Sequence, residues 1–271
     1  MSNLFQESIA LSTGISVPSM YELHNTQAIN VILGHGLGSS NPKARNHLSD
    51  RWIKLVKDSL IPSGTNVLMY TARGHGESSG WEETAEDNPD QFTWSYLAKD
   101  MQAAAEYYTI KTFIAGGSSM GSATALYTAI ENPDKVLGII MIRPPTAWEV
   151  RAERRKFLLS LAEKLRVKME LAEDDSARKV HYVLSGTAYS DLPPPGSEQY
   201  LRIARIPVLI LTIEGDPAHP LSTAETLHQL LPQSLLYIAK NNEQAATTWP
   251  GIIREFYENI SKQSEVAAVQ S

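Results

Sequence analysis

A chain of 271 residues is long enough for one large core with a modest insertion, and too short for two full enzyme domains to be the default. Its 42% hydrophobic and 20% charged residues are those of an ordinary globular protein, and a formal charge of −6 gives neither nucleic acid nor an anionic membrane surface a reason to bind. With no cysteine, disulfides, thiolate catalysis and cysteine-ligated zinc are excluded, which fits a reducing compartment.

The first residues lack a basic segment followed by a long apolar one, and no apolar run approaches the ~18 residues of a membrane span. The chain is therefore read as cytoplasmic. An antiparallel strand pair is expected at 8–11 and 15–21, with Thr13-Gly14 as the turn and Pro18 confining the second strand to an edge. The run 29–33 reads as the first parallel strand and is followed by His35-Gly36-Leu37-Gly38. Leu48, Trp52, Leu55 and Val56 recur at helical spacing, and 66–70 is a second parallel strand leading into Arg73-Gly74-His75-Gly76-Glu77-Ser78. A third strand, 112–115, runs into Gly117-Ser118-Ser119-Met120-Gly121 and then the alanine-rich helix 122–130.

A fourth strand is expected at 136–142. The βα rhythm then breaks over 147–203, a charge-dense, helix-favouring segment read as a lid inserted between core segments 1–146 and 204–271. Its return is marked by Pro193-Pro194-Pro195-Gly196. Strands at 208–213 and 235–239 complete the core. Ile252, Ile253, Phe256, Tyr257 and Ile260 form a last helical stripe, and the small polar tail 261–271 is expected to fray. Alternating strands and helices of this kind predict an α/β fold on a mainly parallel sheet.

The chemistry centres on the Gly-x-Ser-x-Gly stretch. Following a strand and opening a helix, it predicts a nucleophile elbow with Ser119, not Ser118, as the nucleophile. Gly117 and Gly121 are small because a side chain at either place would clash across so tight a turn. An acyl-transfer serine also needs oxyanion donors, assigned to the backbone N–H groups of Met120, directly after the serine, and of Leu37, in the loop after the first parallel strand.

In these parts and their order the chain resembles the α/β-hydrolase superfamily from about residue 29 to residue 257, with a cap inserted after the strand 136–142. The Arg73 to Ser78 loop is also similar to one in that family, though Thr71 stands where the family often has aspartate, and His75 is expected to anchor the turn. The resemblance places the acid just beyond the strand 208–213, at Asp216, with Glu214 as the competing carboxylate. It also implies a basic histidine after the last core strand, where this chain reads Lys240-Asn241-Asn242-Glu243-Gln244-Ala245-Ala246.

No histidine occurs beyond His228. His219, three residues after Asp216, is the candidate replacement, and His35 is a second candidate or a brace of its own loop. His228 is peripheral. One further explanation of the missing base is an inactivated variant, with Ala245 or Ala246 standing where a base was lost. The resulting expectation is a serine hydrolase acting on a small apolar ester or lactone, with His35, Pro144 and Trp148 beside the substrate and neither metal nor organic cofactor. Its rival is a non-hydrolytic or ligand-binding protein on the same scaffold.

Overall fold

In the computed structural model, which describes residues 3–37, 50–85, 88–172 and 175–270, the apolar runs form β1 (Asn3–Ala10), β2 (Ser16–Leu23), β3 (Asn30–Gly34), β4 (Asn66–Tyr70), β5 (Phe113–Ser118), β6 (Val136–Ile142), β7 (Val208–Ile213) and β8 (Ser234–Ala239). They make one sheet in the order β1-β2-β4-β3-β5-β6-β7-β8. Strands β3 to β8 are mutually parallel, while β1 and β2 run antiparallel at one end. The helices are α1 (Arg51–Leu60), α2 (Trp94–Tyr107), α3 (Met120–Glu131), α4 (Trp148–Ala172), α5 (Asp175–Ala188), α6 (Gln199–Arg202), α7 (Leu221–Leu230) and α8 (Asn242–Gln270). None of them, among the described residues, is long and apolar enough to cross a membrane.

The central strands are apolar at most positions because both faces are covered. Val31, Leu33, Ile140, Ile142, Leu209 and Leu211 pack against α1 and α8 through Trp52, Ile53, Trp249 and Ile253. Their alternates Ile32, Ile139, Met141, Val208 and Ile210 join the opposite core with residues of α2, α3 and α7. This two-residue alternation places both helical layers without any polar face to mark them.

Two of these expectations are corrected. Pro18 does not mark an edge, since β2 pairs with both β1 and β4. It lies just past the β2–β4 ladder, which begins at Ser19, and its carbonyl accepts from Thr71 N–H at 2.8 Å, so the missing proline N–H leaves no gap in the pairing. The polar tail continues α8 to Gln270 instead of fraying at 261. Leu48 and Gly38 lie outside the described residues.

The loop after β4 is anchored by a buried ion pair. Arg73 Nε and Nη2 donate to the two carboxylate oxygens of Asp100 at 3.0 and 2.9 Å, and Nη1 donates to Gln91 Oε1 at 2.8 Å. Thr13 Oγ1 adds a bond to Asp100 at 2.6 Å, so both charged groups are buried with hydrogen bonds as well as each other.

Candidate active site

The carboxyl ends of β3, β5, β6 and β7 lie side by side, and the segments leaving them converge on Ser119. Ser119 stands between the last residue of β5 and the first of α3, with φ 51° and ψ −112°, a conformation that strains any residue bearing a Cβ. Its N–H donates to Ile142 O at 2.9 Å, tying the turn to β6. A Cβ on Gly121 would stand 2.0 Å from Gly34 O, and one on Gly117 2.5 Å from the same oxygen. The two glycines are therefore needed because the end of β3 passes against the elbow, a cross-strand reason beyond the tightness of the turn.

Ser119 Oγ lies 2.8 Å from His219 Nε2, and His219 Nδ1 lies 2.8 Å from Asp216 Oδ2. An ionised carboxylate only accepts, so the imidazole proton sits on Nδ1 and the Nε2 lone pair faces the serine hydroxyl. The loop between β7 and α7 makes this possible locally: Asp216 Oδ1 accepts from Ala218 N–H at 3.1 Å, and His219 N–H donates to Asp216 O at 3.1 Å. That turn folds the imidazole back onto the carboxylate three residues before it.

Arg143 completes the group. It is the first residue after β6, has φ 50°, and donates to Asp216 Oδ2 through Nε at 2.9 Å and also through Nη2. Burial pushes the Asp216 carboxyl up, but the hydrogen bonds from His219 and Arg143 and their charges outweigh it and hold the group well below the usual carboxylate range. Glu214 is exposed and takes no part in this cluster.

Asp50 Oδ2 accepts from Gly36 N–H at 2.7 Å and from Ser118 Oγ at 2.5 Å, while Oδ1 caps α1 through Trp52 N–H at 2.9 Å. One carboxylate thus joins the loop after β3 to the elbow. His35 is buried with both ring nitrogens engaged: Nε2 accepts from Ala72 N–H at 2.9 Å and Nδ1 donates to Gly36 O at 2.8 Å. His75 anchors its turn as expected, with Nδ1 2.9 Å from Arg73 O and Nε2 3.3 Å from Leu37 O.

A cavity of about 900 Å³ opens above Ser119 and His219, and Leu37 and Met120 both line it. The expected lid segment supplies its far wall as a helical hairpin, α4 against α5, presenting Leu158, Leu161, Val183 and Leu184. His35, Pro144 and Trp148 were expected on the wall, but the described lining includes Pro145 and Thr146 instead. His35 is buried between its own loop and the loop after β4, and Trp148 donates from Nε1 to Pro193 O at 2.8 Å. The stretch after β8 is mostly the first turn of α8: Asn242 lines the cavity, Ala245 is fully buried in the core and Ala246 is exposed.

Sequence reasoning missed Arg143, Asp50 and the arginines of α4. Only Arg143 carried a local signal, as the charge that ends an apolar strand.

Residues 29–166 match the family model described as the alpha/beta hydrolase fold. The probable proline iminopeptidase of Leptolyngbya boryana is 23% identical over 245 residues, covering 69% of this chain and 75% of that protein. The 2-hydroxy-6-oxo-6-phenylhexa-2,4-dienoate hydrolase from Rhodococcus sp. strain RHA1 superposes with a TM-score of 0.68 at 16% identity, covering 95% of this chain and 100% of that one. A thermophilic esterase from Thermogutta terrifontis superposes with a TM-score of 0.66 at 18% identity, covering 95% and 99%. At such identities the structural likeness is one of fold.

Proposed function

This chain belongs to the alpha/beta hydrolase family, and on that premise we propose that it is a serine hydrolase cleaving small carboxylic esters or lactones through an acyl-enzyme on Ser119. The observation that carries this reading is the unbroken relay from Ser119 Oγ through the imidazole of His219 to Asp216. In it His219 Nε2 takes the hydroxyl proton as Oγ attacks the carbonyl carbon, and Asp216 stabilises the imidazolium through Nδ1–H. The N–H groups of Leu37 and Met120 receive the oxyanion, Gly36 N–H being held by Asp50. The imidazolium returns its proton to the leaving alkoxide. Water, deprotonated by the same nitrogen, then attacks the acyl carbon, the acyl–Oγ bond breaks to release the acid and the imidazolium returns the proton to Ser119 Oγ, while α4 and α5 act as a lid that keeps the acyl chain in an apolar space.

The rival reading of a ligand-binding scaffold drew on a missing base. A histidine 2.8 Å from the serine supports the hydrolase instead. A fluorophosphonate probe tests it without knowledge of the substrate: native protein is labelled at Ser119 alone, and Ser119→Ala is not labelled. Absence of label on the native protein would return the reading to its rival.

Arg143 is a positioning residue in this scheme. Arg143→Met removes two charge-assisted bonds from Asp216, and kcat/KM is expected to fall roughly 10- to 100-fold. The acid limb of the pH profile should move to higher pH, because a carboxylate no longer shared with a guanidinium holds the imidazolium proton more strongly. A variant within twofold of the native rate, with an unmoved limb, would leave Arg143 structural only.

A further inference from the structure

The cavity walls carry positive charge that the hydrolytic relay does not use. Among the described residues four arginines line the cavity, Arg51, Arg143, Arg151 and Arg154, against one carboxylate, Asp50, in a chain whose formal charge is −6. Arg143 is taken by Asp216, and exposed Arg51 lies over the Trp52 ring at 4.3 Å. The two arginines of α4 are different. Arg151 is 3% exposed and donates only to neutral acceptors, Ser190 O at 2.7 Å, Thr187 O at 2.5 Å and Thr146 Oγ1 at 3.2 Å, with its guanidinium 4.6 Å from the centre of the Trp94 ring.

Arg154, one turn further along α4 and partly buried, makes no hydrogen bond or ion pair among the described residues; its guanidinium lies 4.8 Å from the centre of the Phe157 ring. Burial lowers both groups, Arg151 to about 10, and outweighs the opposing charges of Asp191 on Arg151 and of Asp216 on Arg154, so a bound anion would relieve each cation further. Leu158, Leu161, Val183 and Leu184 complete this part of the wall.

We propose that Arg154, supported by the buried charge of Arg151, is an anion subsite, and that the substrates are esters or lactones bearing a free carboxylate. This rests on the hydrolase reading for the bond that is cut, and on the cavity's charge for the group that is held. One unpartnered guanidinium balances one negative charge, and its planar fork matches a carboxylate through two parallel hydrogen bonds. A phosphate dianion would bring a second charge for which the wall keeps no second unengaged guanidinium, since Arg151 is held by three neutral acceptors. The excess of arginine also draws anions toward the cavity mouth of an acidic protein.

The test compares kcat/KM for the 4-nitrophenyl monoester of glutaric acid with that for its neutral methyl-capped analogue. The native protein should prefer the charged ester by tenfold or more. That ratio should fall roughly 10- to 100-fold in Arg154→Met and by less in Arg154→Lys, which keeps the charge but not the fork. Because it is a ratio, any inactive fraction cancels. Calorimetric binding of monomethyl glutarate to Ser119→Ala should weaken by a similar factor when Arg154→Met is added.

Hydrolysis of the neutral ester at Ser119 with no preference for the charged one would overturn the subsite and leave the hydrolase. Carboxylate binding that depends on Arg154, without hydrolysis of any ester, would overturn the hydrolase and leave the subsite. Tighter binding of methyl phosphate than of monomethyl glutarate would overturn the carboxylate assignment.

Discussion

His219→Ala is expected to lower kcat/KM by roughly 10⁴-fold or more with folding unchanged, because the serine hydroxyl then has no acceptor for its proton. The loss should fall on kcat; a change confined to KM would make the imidazole a pocket wall. In the native protein activity should decline as pH falls, since only neutral imidazole accepts the proton. Asp216 does not set this limb, because its carboxyl is held well below the usual carboxylate range and stays ionised. The same lowering makes Asp216 contribute to stability above the ordinary carboxylate range, a contribution lost as pH falls through its depressed value. Asn242 lines the cavity after the last strand, near where the family resemblance puts the base. A large gain from Asn242→His, set against a silent His219→Ala, would show a base lost and not relocated.

Asp100→Ala is expected to destabilise the protein by about 3–5 kcal/mol, read as a lowered urea midpoint with unchanged slope. The substitution leaves the Arg73 guanidinium buried with Gln91 as its remaining hydrogen-bond partner among those described here. The consequence should reach the site, because Arg73 O faces His75 and His75 in turn faces Leu37 O. Loss of fluorophosphonate labelling should therefore accompany the loss of stability at denaturant concentrations the native protein survives. A change under about 1 kcal/mol would mean the pair only offsets its own desolvation.

Local order was legible in the sequence. Strands β4, β6 and β7 have the limits their apolar runs predicted, because strands covered on both faces are apolar along most of their length. Ser119 could be named from its neighbours alone, since glycines around a serine between strand and helix encode the turn within five residues. The nearness of Asp216 to His219 was equally local, three residues apart in one turn.

What no local pattern contained was which side chains meet across the sheet. Ser119 and His219 are 100 residues apart and touch because β5, β6 and β7 are laid side by side, with the segments leaving their ends on one side. The same adjacency brings Arg143 onto Asp216 from the end of the intervening strand. It was also the tertiary structure that set His35 between its own loop and the loop after β4 and gave Asp50 and Arg154 to the cavity. Spacing along the chain specifies turns and faces, whereas strand order and the packing of helices on the sheet decide which distant groups come within bonding reach.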